Sequence, residues 1–318
     1  MEMRLGGMRR QDRLFLSCFV VVLSACLPRT TPAQRTKQAS DGEAVASIRV
    51  IKPAIVQIGF GSNSPIPTPP RIAGTGFIVN KKGYVLTAAH VITEAEAALR
   101  AEGATKTYLL VSLSLDASST PNLQFRGSFR GIVSTVVDID EEHDVALLKL
   151  SQNPFAPGFS SGIAVGSKLL PISLGIVKLN PNLPSEGQSV LISGYPLENP
   201  TLVSQKGMVA SESYQTYQKH PPGSPEGFTV PESKDIILLD AVVNPGNSGG
   251  PVYLPGSDDV VGICEAYEEA PLFTTKNLPV KVNDKEFLVQ NSGLAIAIPV
   301  RYAISLLEKN KVATPGRP

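Results

Sequence analysis

The chain has 318 residues, 42% of them apolar, and a formal net charge of +1. That length can enclose a sizeable core, and the near-neutral balance excludes the basic excess of a nucleic-acid-binding protein. The 27 glycines and 27 prolines, set between short β-branched runs, favour many strands and turns over long helices, and no internal repeat of helical-array period occurs.

Residues 1–26 read as a targeting segment. Arg4, Arg9, Arg10 and Arg13 form a positive start, and residues 14–25 are uncharged and mostly apolar. The run is too short to span a membrane and suits a signal sequence. It ends in Leu23-Ser24-Ala25-Cys26, which resembles a bacterial lipobox, so Cys26 is the expected lipidated N-terminus. Cleavage elsewhere, for instance after Ala33, is the ordinary alternative. The protein is expected in the exported bacterial cell envelope, lipid-anchored at a periplasmic or outer-membrane face; Leu27 follows the cysteine, where an aspartate would signal inner-membrane retention, so the outer membrane or cell surface is favoured. Residues 27–45 have no apolar period and read as a flexible tether. Cys18 and Cys26 fall in the leader, which leaves Cys264 as the lone cysteine of the folded part. It sits in an apolar run as a small buried hydrophobe, and no disulfide within the domain is possible. No cofactor and no metal are expected.

Residues 43–51 can make a short helix before Pro53, and 54–60 a first strand. Residues 61–71 are a proline-rich loop. Residues 74–79 and 84–87 form a hairpin around Asn80-Lys81-Lys82-Gly83, with His90 at the exit of its second strand. Thr93-Glu94-Ala95-Glu96 has the pattern of a capping box that opens a helix ending near Gly103. Further strands are expected at 108–115, 125–137 and 145–150, and residues 152–184 link two halves. The second half begins with 189–193 and the turn Gly194-Tyr195-Pro196, and continues through 206–209. Residues 218–234 read as an exposed loop. Strands at 236–243, 251–254, 260–266 and 294–300 follow, and a helix over 302–309 closes the domain. About a dozen short strands in two groups fit two barrels better than one sandwich. The barrels are placed at residues 46–160 and 161–308, with 309–318 as a tail.

The chemistry lies in Gly246-Asn247-Ser248-Gly249-Gly250-Pro251. A serine between glycines reads as a tight loop that exposes the hydroxyl while aiming backbone N–H groups at one small space. Attack on a carbonyl needs that arrangement: a nucleophile, and donors where the oxyanion forms. Serine is inert near neutral pH without a base and a carboxylate to orient it. The chain offers His90, in Thr87-Ala88-Ala89-His90, and Asp144, ahead of the apolar run 145–148. Each alone reads as an ordinary structural residue. Together, in the order His, Asp, Ser, they match the chymotrypsin-type arrangement and neither the α/β-hydrolase nor the subtilisin order. His143 and His220 have no comparable context and are expected to be exposed.

Gly-Thr-Gly-Phe (74–77), Leu-Thr-Ala-Ala-His (86–90), Asp-Val-Ala-Leu-Leu (144–148), Asn-Pro-Gly-Asn-Ser-Gly-Gly-Pro (244–251) and Leu-Ala-Ile-Ala-Ile-Pro (294–299) together resemble the trypsin-like serine proteases, most of all their bacterial HtrA (Deg) branch. The resemblance covers residues 46–308. It implies an all-β fold of two six-stranded antiparallel barrels with the active site between them, and polypeptide substrates. HtrA proteins usually carry PDZ domains after the protease. Here about ten residues follow the closing helix, and the spacings between His90, Asp144 and Ser248 are longer than in compact members.

The resemblance implies an oxyanion hole built from the N–H groups of Gly246 and Ser248, with Asn247 between them. Asn247 cannot form the ion pair that an aspartate makes with a freed N-terminus in secreted digestive relatives, which argues against zymogen activation. By the same resemblance, the segment before the serine loop and the strand after it line the pocket for the residue preceding the scissile bond. That places Val242, Val243, Cys264 and Glu265 there. Valines predict cleavage after small or medium aliphatic residues of extended chains, whereas a Glu265 carboxylate reaching the pocket would admit basic ones. A membrane-tethered chaperone or binding protein with an unused site is the alternative function.

Overall fold

In the computed structural model, the described residues are 41–62, 71–104, 107–113, 131–159, 162–165, 168–171, 174–199, 201–212, 214–219, 229–257, 259–276, 278–280 and 288–313. The leader, Cys26, most of the tether, His220 and residues 125–130 lie outside them.

Helix α1 (Asp41–Ile51) leads into β1 (Ile55–Ser62), β2 (Arg71–Ile78) and β3 (Tyr84–Ala88). Helix α2 (Ala89–Ala101) follows, then β4 (Thr107–Leu113), β5 (Ile132–Asp140) and β6 (Val145–Leu150). These six strands close a barrel in the order β1-β2-β3-β6-β5-β4, antiparallel at every pairing. The segment expected as a link holds a two-stranded hairpin, β7 (Gly162–Val165) and β8 (Lys168–Pro171), and the short β9 (Lys178–Leu179).

The second barrel takes β10 (Ser189–Gly194), β11 (Val203–Ser211), β14 (Ile237–Asp240), β15 (Pro251–Tyr253), β16 (Asp259–Pro271) and β17 (Val289–Pro299). They run β15-β10-β11-β14-β17-β16, and the β15–β16 pairing closes the ring, with β9 added parallel to β16. Between β11 and β14, β12 (Tyr214–Lys219) pairs with β13 (Thr229–Lys234) as a separate ribbon. The stretch expected as an exposed loop is therefore in part a hairpin arm; its prolines and glycines mask a register that closes away from the barrel. Helix α3 (Val300–Lys309) packs back on β6 and β16.

Several strands are apolar without a break because both of their faces are covered. Val56 and Ile58 of β1, Val85 of β3 and Leu148 of β6 fill the first barrel. Their neighbours Ile55, Leu86 and Leu147 point the other way, into a cluster shared with Leu191, Tyr253, Ile263 and Ile298 of the second barrel and Leu307 of α3. Val190, Ile192, Val209, Leu239 and Val261 fill the second barrel. Period-2 alternation thus separates barrel interior from barrel interface, and burial of this area is the main favourable term. The cleft lined by His90 and Ser248 lies along this seam.

One helix start departs from the sequence pattern. α2 begins at Ala89, and its N-cap residue Ala88 makes no side-chain cap. Thr93 lies inside the helix, its hydroxyl turned back to the carbonyl of Ala89. The orphan N–H groups are met from afar: Asp144 accepts from the Ala89 amide through its carbonyl (3.0 Å) and from the His90 amide through Oδ1 (2.7 Å). A carboxylate at a helix N-terminus is favoured by the macrodipole as well as by the bond. The local capping box loses to this tertiary cap.

Candidate active site

His90 is the second residue of α2, Asp144 ends the β5–β6 turn, and Ser248 sits in the loop between β14 and β15. Asp144 takes positive φ (51°), a left-handed conformation that suits aspartate better than most side chains. This bend sends its carboxylate back over α2, where Oδ2 lies 2.7 Å from His90 Nδ1 while Oδ1 holds the His90 amide. One carboxylate therefore fixes both the backbone and the ring of the histidine. Burial disfavours the charged imidazolium, but the hydrogen bond and charge of Asp144, together with the charges of Glu94 and Glu265, outweigh it and raise the His90 pKa above its ordinary value.

Ser248 shares its cleft with His90, and both line the cavities on either side of it. Its hydroxyl donates to the carbonyl of Glu265 at 2.8 Å. Glu265 is the extra residue of a β-bulge, since Cys264 pairs with Ala297 while Ala266 pairs with Ile296. Bulges re-aim the strand locally, and this one turns the Glu265 carbonyl onto the serine. The structure thus joins His90 to Asp144 directly and places Ser248 beside them with its hydroxyl in another bond.

The serine loop is clamped from both barrels. Thr75 of β2, fully buried, donates its amide to Ser248 O (2.9 Å) and its hydroxyl to Gly246 O (2.7 Å), and accepts from the Tyr195 amide (2.9 Å). Gly249 donates to Cys264 O (2.7 Å), and Cys264 donates to Gly250 O (2.8 Å). Gly246 has φ +98°, and a Cβ there would sit 2.4 Å from Tyr195 O, so only glycine fits. Among the described residues the amides of Gly246 and Ser248 make no backbone hydrogen bond, whereas the Asn247 amide donates to Asn244 O and its residue is buried. Two donors are therefore available at the loop, with Asn247 as the spacer between them. Thr75 is the clamping residue of the serine loop that the sequence does not single out; its partners lie 171 and 120 positions away, and its local sign is its place between two glycines.

On the β16 side of Ser248 a cavity of about 470 Å³ is lined by Val243, Asn244, Cys264, Glu265, Ala266, Tyr267 and Glu269, together with His90 and Glu94. Val242, expected at its base, is 57% exposed and is not part of its wall. β14 ends at Asp240, and the chain beyond it places Ala241 and Val243 inward with Val242 outward. Cys264 is buried, and burial pushes its thiol up to about 12. His143, expected to be exposed, is half-buried: its ring stacks on Tyr302 at 3.7 Å and its Nδ1 meets Asp140 at 2.9 Å. Among the described residues no group of His, Cys, Asp and Glu could hold a metal ion.

The family profile described as "Trypsin-like peptidase domain" matches residues 74–263. Serine protease HTRA1 of Xenopus laevis is 30% identical over 219 residues, covering 68% of this chain and 36% of the relative. A probable periplasmic serine endoprotease, DegP-like, of Pseudomonas putida is 29% identical over 243 residues, covering 75% of this chain and 35% of the relative. The chain thus spans about a third of the length of these curated relatives. A solved structure titled as the serine endoprotease from Yersinia pestis aligns with TM-score 0.45 and 22% identity, over 83% of this chain and 64% of that one.

Proposed function

Because this chain belongs to the trypsin-like peptidase family, we propose that it is a serine endopeptidase with Ser248 as nucleophile, His90 as general base and acid, and Asp144 as the group that orients it. The observation that carries this reading is the 2.7 Å contact between His90 Nδ1 and Asp144 Oδ2, beside a serine whose loop keeps two amides available. Asp144 holds the proton on Nδ1, so Nε2 is the basic nitrogen. Rotation of the Ser248 hydroxyl from the Glu265 carbonyl toward Nε2 begins the reaction. His90 then takes the proton as Oγ attacks the peptide carbonyl, and the oxyanion forms against the amides of Gly246 and Ser248. The protonated His90 gives its proton to the leaving amine. Water, deprotonated by the same nitrogen, resolves the acyl-enzyme.

The substrate is an extended or unfolded polypeptide that pairs as a strand with the edge of β16. The residue before the scissile bond is small and aliphatic, seated against Val243, Cys264 and Ala266, while the carboxylates of Glu94, Glu265 and Glu269 in the same lining favour chains with basic residues nearby. Work in the bacterial cell envelope, anchored through a lipidated Cys26, is supported by the lipobox and by the naming of the DegP-like relative as periplasmic.

Labelling of Ser248 by a fluorophosphonate, with loss of casein hydrolysis in Ser248→Ala, tests the chemistry; unimpaired turnover by that variant would remove Ser248 from the mechanism. A peptide library tests the pocket, and a profile dominated by Arg or Lys before the cleaved bond would overturn the aliphatic assignment. Mass spectrometry of the mature N-terminus tests the anchor, and an unmodified terminus near Gln34 would sink it.

A further inference from the structure

The cleft continues on the far side of Ser248, away from β16. There, a cavity of about 310 Å³ opens between β1, β2 and α2, with His90, Gly246 and Ser248 at its inner end. Its walls are mostly apolar: Phe60 of β1, Ile72 and Ala73 of β2, and Val91, Ala95 and Leu99 of α2. Phe60, Val91 and Leu99 are buried among the residues of the first barrel's core, so this wall is a continuation of that core and cannot collapse into the space. The polar groups stand at the rim. Arg71 is exposed and neutralised by Glu102 at 2.6 Å, and Glu94 is exposed on the helix surface.

The two cavities share only the reacting residues His90 and Ser248, and Glu94 and Pro245 beside them. A chain crossing Ser248 must therefore fill one side with its acyl half and the other with its leaving half. The β16 side offers a strand edge and the pocket for the acyl half. The leaving amine receives its proton from His90, at the start of α2, so the departing half lies along that helix.

We propose that the cavity between α2 and β2 is a subsite for the side chain that follows the scissile bond, and that it selects apolar residues of leucine or phenylalanine size. This rests on the serine endopeptidase reading and adds a second specificity to it, on the side of the cleft built by α2. The volume sits at the low end for ligand pockets and suits one side chain. Burying such a side chain in place of glycine is worth about 10- to 100-fold in kcat/KM.

The test uses internally quenched peptides with one fixed sequence before the bond and Gly, Ala, Leu, Phe, Asp or Lys after it. Each kcat/KM is divided by that for the matching p-nitroanilide, which places no residue beyond the bond. Leu and Phe should exceed Gly and Asp by about 10- to 100-fold. Ala95→Phe, which fills the cavity from α2, should flatten or invert that order. Because this variant can fail to fold, a second measurement needs only the unaltered protein. Leucinamide or phenylalaninamide added during anilide turnover should capture the acyl-enzyme about tenfold better than glycinamide. In that step the amine attacks the acyl carbonyl, the ester to Ser248 breaks, and His90 returns the proton to Oγ. Anilide turnover with a flat profile after the bond and equal capture of all amides would overturn the subsite alone. No anilide turnover and no fluorophosphonate labelling would overturn the endopeptidase reading and the subsite with it.

Discussion

Thr75→Val is the sharpest test of how the fold sets the proposed oxyanion site. Valine keeps the branched shape, so no cavity opens, but the hydroxyl that bridges Gly246 O and the Tyr195 amide is lost. Tyr195 is only 4% exposed, and stripping the acceptor from a buried amide costs about 1–3 kcal/mol, with about 1 kcal/mol more for the bond to Gly246. A total near 2–4 kcal/mol should lower the urea midpoint by about 1 M. The Gly246 carbonyl, once released, lets its peptide plane turn and with it the neighbouring amides. Loss of one oxyanion donor costs about 10²–10³ in rate, so a loosened donor pair should cost about 10- to 100-fold in kcat. Urea unfolding and anilide turnover of the folded variant measure the two effects separately. Thr75→Ser keeps the hydroxyl and should stay within a few-fold of the parent in kcat. A valine variant with parental midpoint and kcat, or a serine variant as impaired as the valine one, would refute the reasoning.

His90→Ala and Ser248→Ala should each abolish peptide hydrolysis without unfolding the chain, and Asp144→Asn should cost about 10⁴ in kcat; circular dichroism beside turnover checks both halves. Because His90 must be neutral to act as base, and burial is outweighed by Asp144, Glu94 and Glu265 in raising its pKa, the acid limb of kcat/KM should lie above the ordinary histidine value of about 6.5. Glu94→Gln or Glu265→Gln should move that limb to lower pH, and a limb that starts at or below the ordinary value would refute the shift. The same shift stabilises the folded chain at low pH, and that contribution is lost as pH rises through the folded pKa. Cys264, buried and with its thiol raised to about 12, should resist alkylation by iodoacetamide at pH 8 until urea unfolds the chain, and rapid labelling of the native protein would contradict its burial.

What could be read from the sequence was local, and what escaped it was tertiary. The serine loop announces itself because Gly246 and Gly249 carry their own backbone requirements, and the two barrels announce themselves because strand periodicity is a near-neighbour property. The start of α2 escaped because its cap comes from Asp144, 54 residues away from His90. Thr75 escaped for the same reason. Val242 falls outside the pocket because the resemblance assigns the whole segment before the serine loop to it, whereas the alternation after Asp240 turns Val243 inward and Val242 outward. The bulge at Glu265 has no sequence mark, yet it decides which carbonyl meets the Ser248 hydroxyl. The strands of the β12–β13 ribbon were hidden by prolines and glycines that usually signal a loop.

The double use of Asp144 ties stability to chemistry. His90 stands in the first turn of α2, where the helix dipole places about half a positive charge and disfavours an imidazolium. Asp144 answers that field with a negative charge, so in the proposed mechanism the carboxylate that caps the helix also lets the histidine carry a proton in mid-reaction. An asparagine at 144 can still cap the His90 amide through its oxygen, so α2 should survive. Its NH₂ would then face Nδ1 and donate to it, which moves the imidazole proton to Nε2. That nitrogen could no longer accept from Ser248, and the amide would offer no charge to the imidazolium. The variant should therefore keep its fold and lose its rate, and addition of a stronger nucleophile than water should not restore it, because acylation, not deacylation, is the step that needs the basic Nε2 first.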